Sequence, residues 1–139
     1  MELRRLLLFM ELMSKKIENT GANVKWFYTP ADEKLLIKMD EESIKNTWNK
    51  LVSNIKEENS TGFSEKLFPF CIAYDMNCKY CTYPKNHGTC EEQSSDLTRL
   101  TTQLTDLRFP SHSIFNNEFY LDLLEDILST PNRTLIYTR

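Results

Sequence analysis

The stretch DEESIKNTWNKLVSNIKEEN, residues 40–59, has the clearest periodicity in the chain. Acidic residues at its start suit the positive end of a helix dipole, and Gly62, which closes the following NSTG, is a natural helix stop. Its apolar residues recur at helical spacing and share one face: Ile44, Trp48, Leu51, Val52 and Ile55. The stretch therefore predicts an amphipathic helix with one face in a hydrophobic core.

Three other segments have the same periodicity. In MELRRLLLFMELMSKK and the residue after it, the apolar positions are Leu3, Leu6, Leu7, Met10, Met13 and Ile17. In SSDLTRLTTQLTDLRFP, closed by Pro110, they are Leu97, Leu100, Leu104 and Leu107. In NNEFYLDLLEDILS, which begins with an Asn cap, they are Phe119, Tyr120, Leu123, Leu124, Ile127 and Leu128. Each segment predicts a helix that faces the core.

Residues 24–39 fit two structures equally well. Val24, Trp26 and Tyr28 alternate as in a strand, and a second alternation follows across PADE, which predicts a short β-hairpin. Thr29 and Pro30, however, also form a good helix start, with a cap residue, a proline at the first helical position and a carboxylate one turn in. Both alternatives stay open at this level.

The length of 139 residues predicts one domain, because a single core is usual at this size and two would each be marginal. An apolar content of 40% argues against general disorder. The fold class predicted is mainly α: a small single-domain bundle of four to five helices spanning residues 1–139, with an irregular cysteine-rich connection.

Charge and hydropathy exclude several classes of protein. A net charge of −3 gives no global attraction for nucleic acid or for an anionic membrane. No stretch approaches the ~18 consecutive apolar residues of a membrane span. Arg4 and Arg5 precede an apolar run, but Glu11 interrupts it and no cleavage site follows, so we expect a helix rather than a signal peptide. The expected location is cytoplasmic.

All four cysteines lie in the segment 68–90, FPFCIAYDMNCKYCTYPKNHGTC. Thiols that are this close together, in a chain without an export signal, indicate metal ligands before disulfides, since the cytosol keeps ordinary thiols reduced. Two residues between the middle cysteines let one tight turn direct both sulfurs at a single cation. The predicted ligands are Cys71, Cys78, Cys81 and Cys90. Disulfides and buried unligated thiols are the alternatives.

The pattern does not separate zinc from an iron–sulfur cluster, because both use four thiolates. Nearby aromatic residues would supply an apolar shell for either: Phe68, Phe70, Tyr74, Tyr80 and Tyr83. We expect His87 to support the ligands rather than to bind metal, since four cysteines already suffice. A Cys3His zinc site that uses Cys78, Cys81, His87 and Cys90 and leaves Cys71 in the core is the alternative.

Two short stretches resemble parts of known families. MNCKYC is similar to the latter half of the radical-SAM cluster loop, but Tyr74 stands where the first cysteine belongs, and the 58 residues after Cys81 are too few for that barrel. FPFC and CTYPKNHGTC resemble pieces of the iron–sulfur domain of archaeal and eukaryotic primase large subunits, a helical domain that binds template and primer. That family has a long helical stretch between its first two cysteines, where this chain has six residues. The two resemblances favour iron–sulfur as the metal group.

The function predicted is a small metal-binding helical protein that acts as an interaction module with a protein partner. An iron–sulfur protein in electron transfer or redox sensing is the first alternative. The second is a nucleic-acid accessory domain, which the acidic pI of about 5.4 disfavours and which would need a basic patch of Lys66, Lys79 and Lys85. Catalysis is the least favoured reading, because three glycines permit no phosphate-binding loop and no orienting group is evident for a Cys–His pair.

Overall fold

The computed structural model describes residues 2–57, 61–74, 83, 87, 88 and 95–129. Within these ranges the chain forms seven α-helices: α1 Glu2–Asn19, α2 Pro30–Ile37, α3 Glu41–Glu57, α4 Pro69–Ala73, α5 Asp96–Asp106, α6 Ser111–Ile114 and α7 Asn117–Ser129. Two 3₁₀ helices are Val24–Trp26 and Glu65–Leu67. The described residues contain no strand, so the predicted mainly α class is confirmed. None of these helices is long and apolar enough to cross a membrane.

The core forms where α1 and α3 meet. Helix α3 packs against α1, α4 and α7, and α1 also packs against α2 and α7. The apolar faces predicted for α1 and α3 are buried, with only Leu3 and Val52 at the edge of the core. Helix α3 buries one stripe, as its periodicity predicts, whereas α1 is buried on all sides over residues 6–11.

The β-hairpin considered for residues 24–39 is wrong, because the segment is helical. The Thr29 side chain accepts a hydrogen bond from the Asp32 backbone while the Asp32 side chain accepts one from the Thr29 backbone, which makes a capping box, with Pro30 at the first position. Leu36 is fully buried and Ile37 is 49% exposed, so the alternation from residue 35 to residue 39 does not mark a common face. Local capping therefore outweighs the apparent strand pattern.

Gly62 makes contacts that the sequence did not predict. It lies five residues beyond Glu57, the last residue of α3. Its backbone has φ +66, its N–H donates to the Phe115 carbonyl at 2.6 Å, and its carbonyl accepts the hydroxyl of Tyr120. The glycine thus joins the segment after α3 to the turn between α6 and α7.

Helix α5 ends in a left-handed residue. Arg108 has φ 68, its N–H donates to the Thr105 carbonyl at 2.9 Å, and the Phe109 N–H donates to the Leu104 carbonyl at 2.8 Å. This pair of bonds is the Schellman arrangement, in which glycine is the usual left-handed residue. Leu107, predicted to be in the core, is 37% exposed because the helix has already ended there.

Helix α7 matches its prediction closely. The Asn116 side chain accepts a hydrogen bond from the Phe119 N–H at 2.9 Å, so the predicted Asn cap is present. The buried side chains are Tyr120, Leu123, Leu124 and Ile127. Leu128, predicted on the same face, is 40% exposed instead.

Candidate functional site

His87 lies between two carboxylates. Its Nε2 hydrogen-bonds to Asp32 Oδ2, and its Nδ1 is 2.9 Å from Asp96 Oδ2. The His87 side chain is 1% exposed, whereas the Asp32 and Asp96 side chains are 0% and 21% exposed. We call these three residues the Asp–His–Asp clamp. Because both carboxylates are acceptors, the imidazolium form, which donates from both nitrogens, satisfies both bonds at once.

The capping box places Asp32 in the clamp. Its Oδ2 accepts from the Thr29 backbone N–H at 2.8 Å and from the Thr29 hydroxyl at 3.0 Å, in addition to His87 Nε2. These bonds fix the carboxylate at the N-terminal turn of α2. A carboxylate there is also stabilised by the helix dipole. The capping box that starts α2 therefore also positions one of the two carboxylates that bind His87.

The cap of α5 places Asp96. Ser95 precedes the helix, and its hydroxyl accepts from the Thr98 N–H at 3.2 Å, so Asp96 is the first helical residue. Arg99 Nη1 is 3.9 Å from the other Asp96 oxygen, on the exposed side. His87 thus bridges the N-terminal turns of two helices through an acidic residue on each.

The two carboxylates change the acid–base behaviour of His87. Burial lowers the pKa of His87, but the hydrogen bonds and charges of Asp32, then those of Asp96, outweigh burial and raise it above the ordinary 6.5. The imidazole is therefore held in its charged form at higher pH than an exposed histidine. Both ring nitrogens already have carboxylate partners and the ring is buried, an arrangement that suits a structural cation.

Aromatic rings pack against His87, in addition to the two carboxylates that bond its nitrogens. The ring of Tyr83 stacks on the imidazole with centroids 4.3 Å apart and planes 20° apart. The Tyr83 hydroxyl donates to the Phe27 carbonyl at 2.6 Å. Phe68 meets Tyr83 edge-on at 4.8 Å, and Phe70 lies 5.0 Å from it. Tyr83 therefore ties its own segment to α4 and to the segment that precedes α2.

One of the four predicted ligands lies in the described residues. Cys71 is in α4 and is 8% exposed, next to Phe70, so the start of the segment 68–90 is helical rather than irregular as predicted. The other three ligands, Cys78, Cys81 and Cys90, lie outside the described residues. Within the ranges described, His, Cys, Asp and Glu form no group of three that is placed to hold a metal ion. The four-cysteine site stays a prediction.

The aromatic shell and the basic patch have mixed outcomes. Phe68, Phe70 and Tyr83 are buried as a shell requires, and Tyr74 is half-buried. Lys66 is exposed. Tyr80, Lys79 and Lys85 lie outside the described residues.

The sequence pointed to His87 but not to its partners. A ligand role for His87 in a Cys3His site would require one of its two carboxylate hydrogen bonds to break. Asp32 was visible as part of a helix start and Asp96 as a helical residue, yet nothing in the sequence links residues 32, 87 and 96. Their one shared signal is that each acid lies in the first turn of a helix.

Comparisons with protein-family models, with curated proteins and with solved structures found no match.

Proposed function

We propose that the chain is a small metal-binding helical protein that acts as an interaction module, with Cys71, Cys78, Cys81 and Cys90 holding zinc or an iron–sulfur cluster. One observation supports the proposal: Phe68, Phe70, Tyr83 and His87, four described residues of the segment 68–90, form one cluster of rings. The Phe70 and Tyr83 rings are 5.0 Å apart, and the Tyr83 and His87 rings are 4.3 Å apart. Cys71 directly follows Phe70.

Chain connectivity limits how far the other thiols can be from that place. Cys81 precedes Tyr83 by two residues and Cys90 follows His87 by three. An extended chain spans at most ~3.6 Å per residue, so separations of two and three residues keep both thiols within reach of a site beside Tyr83 and His87. A zinc site needs sulfurs at about 2.3 Å from the metal. Because Tyr83 and His87 are held on the core, only short lengths of chain would have to close around a metal ion. Short loops lower the entropic cost of closure.

The clamp explains how such a site would serve binding rather than catalysis. His87 has no ring nitrogen available for proton transfer, because both are hydrogen-bonded to carboxylates. What the clamp does is fix the connection between α4 and α5 against α2. A metal bound in that connection would order it further and so shape a surface that a protein partner recognises.

The test is anaerobic purification followed by an absorption spectrum and by analysis for zinc, iron and sulfide. A zinc site gives a colourless sample in which a chelator lowers the unfolding midpoint, whereas a cluster gives a brown sample that reductant bleaches. We expect the double variant C78S/C81S to lose at least about nine-tenths of the bound metal, since half of the thiolates are gone.

His112→Ala is the control, because His112 is exposed and lies in α6, outside the segment 68–90. It should keep the metal content of the parent protein. Full retention of metal by C78S/C81S, or no uptake by the parent protein supplied with zinc or with iron and sulfide, would overturn the proposal.

A further inference from the structure

The outer face of α7 carries a regular stripe of two acidic and two apolar residues. Glu118, Leu121, Glu125 and Leu128 follow one another at spacings of three, four and three, which places them along one line of the helix. Leu121 is 41% exposed and Leu128 is 40% exposed, and both glutamates are exposed. We call these four residues the α7 stripe.

The α7 stripe is separate from the face that holds α7 in the bundle. That inner face buries Tyr120, Leu123, Leu124 and Ile127, and it packs on α1 and α3. The helix therefore already has its core contacts without Leu121 and Leu128. Two leucines in line with two glutamates are not required by the fold.

The acidic residues in the C-terminal half of α7 are unfavourable for the helix itself, whereas Glu118 lies in the first turn, where a carboxylate is favourable. The helix has acidic residues and no basic residue, and Glu125 lies near its C-terminal end. Carboxylates near that end are unfavourable because the last carbonyls already carry partial negative charge. A cationic group placed along the α7 stripe would relieve this repulsion.

We infer that the α7 stripe docks a basic amphipathic helix of a protein partner, with its leucines packed on Leu121 and Leu128 and its lysines or arginines paired with Glu118 and Glu125. Helix-on-helix recognition commonly uses anchors at such spacings. Opposite charges beside the apolar contacts fix the register and speed encounter. This inference rests on the proposed interaction function and names the class of partner for it.

A second copy of the chain does not suit this surface. Two parallel stripes would set glutamate against glutamate, and two antiparallel stripes would bury glutamates against leucines. Charge complementarity therefore selects a basic partner over self-association. We expect the purified protein to sediment as a monomer.

The test uses a synthetic helical peptide of about 20 residues, long enough to be helical. Leucine and lysine alternate along one face at three–four–three spacing, with alanine and glutamine elsewhere, and a second peptide has glutamate in place of lysine. Fluorescence anisotropy at physiological ionic strength measures binding to the full chain. We expect the lysine peptide to bind and the glutamate peptide not to bind.

Two double variants separate the apolar part of the surface from its charges. Both L121Q/L128Q and E118K/E125K should weaken binding of the lysine peptide at least about tenfold. The E118K/E125K variant should also gain binding to the glutamate peptide. E41K/E42K is the matched control, because it makes the same charge change at exposed positions of α3. It should alter binding less than about threefold, because Glu41 and Glu42 are exposed charges outside the α7 stripe.

The inference is overturned if the parent protein does not bind the lysine peptide, if E41K/E42K weakens binding as much as E118K/E125K, or if L121Q/L128Q binds unchanged. A parent protein that sediments as a dimer and an L121Q/L128Q variant that sediments as a monomer would also overturn it. Circular dichroism checks that each variant is folded. If E118K/E125K is not folded, E118Q/E125Q replaces it in the measurement of lysine-peptide binding.

Metal analysis of the same samples keeps the two proposals apart. Metal-free protein whose peptide binding follows the expected pattern would overturn only the metal site. Metal-loaded protein without peptide binding would overturn only the docking surface.

Discussion

Asp32 joins the start of its own helix to His87, a residue 55 positions further along the chain. One oxygen of its carboxylate accepts from the backbone and hydroxyl of Thr29 and from the imidazole. The beginning of α2 and the connection between α4 and α5 therefore depend on the same atom. Loss of the Asp32 carboxylate therefore releases both.

We predict that Asp32→Asn destabilises the protein more than Asp96→Asn. Breaking a buried charge pair typically costs about 3–5 kcal/mol, and Asp32 is fully buried. Asp96 is 21% exposed, so water can replace part of its interaction with His87. We therefore expect Asp96→Asn to lower the free energy of unfolding by about 1–2 kcal/mol. Urea unfolding of both variants gives the comparison.

Asp122→Asn is the control for this pair, because Asp122 is an exposed carboxylate on α7. Its free energy of unfolding should stay within about 0.5 kcal/mol of the parent protein. Equal effects of Asp32→Asn and Asp96→Asn would contradict the burial argument.

The clamp also predicts how stability depends on pH. The pKa of His87 is raised in the folded protein, so the folded state holds the proton more tightly than the unfolded state. Its stabilising contribution is fully present below the unfolded pKa of about 6.5 and is lost as pH rises through the higher folded pKa. The charged groups that face the imidazole are Asp32 and Asp96, with Arg99 behind the latter.

The measurement compares the parent protein with His87→Gln, which does not titrate in this range. The difference in their free energies of unfolding should be largest below about pH 6.5 and should shrink as the pH rises through the raised pKa of His87. Other groups titrate equally in both proteins and cancel. A constant difference across that range, or an imidazole titration by NMR with a midpoint at or below the ordinary value, would contradict the assignment.

Tyr83 offers a separate test of the aromatic cluster. Tyr83→Phe removes the hydroxyl that donates to Phe27 but keeps the ring, so we expect a loss of about 1 kcal/mol. Tyr83→Ala also removes the stacking on His87 and leaves a cavity, so we expect about 3–5 kcal/mol.

Thermal and urea unfolding of both Tyr83 variants give these values. The order of the two effects is the decisive result. If Tyr83→Phe costs as much as Tyr83→Ala, the hydrogen bond and not the packing holds the segment in place.

Local patterns predicted most of the fold. The periodic apolar residues of α1, α3, α5 and α7 identified helices and core faces, because each needs only one stripe to be buried. The segment 24–39 stayed ambiguous, since Trp26 and Tyr28 alternate like a strand while Thr29 and Asp32 cap a helix. There the capping box, which forms within four residues, prevailed over an alternation that requires a partner strand.

The candidate site was less predictable, because it depends on contacts between distant segments. The sequence identified His87 as a residue near the cysteines and Cys71 as a candidate ligand. It could not show that the acids at positions 32 and 96 meet at the imidazole, since helix starts carry acidic residues for local reasons. The clamp becomes visible only when α2 and α5 are packed on either side of His87.

The final prediction concerns Arg108 and Gly62, two of the described residues with left-handed backbone. Arg108 has φ 68, which costs an ordinary side chain about 1–2 kcal/mol. Arg108→Gly removes that cost but adds unfolded-state freedom worth about 0.4–1 kcal/mol, so a net gain of about 0.5–1 kcal/mol is expected.

Gly62→Ala is the opposite case. Its φ of +66 is already suited to glycine, and an added Cβ would lie 3.0 Å from the Ser111 hydroxyl oxygen. We expect a loss of at least about 1 kcal/mol, because both backbone strain and crowding arise where Gly62 meets α6. Urea unfolding midpoints that rise for Arg108→Gly and fall for Gly62→Ala agree with this account. A shift of both in the same direction contradicts it, since strain relief and strain creation have opposite signs.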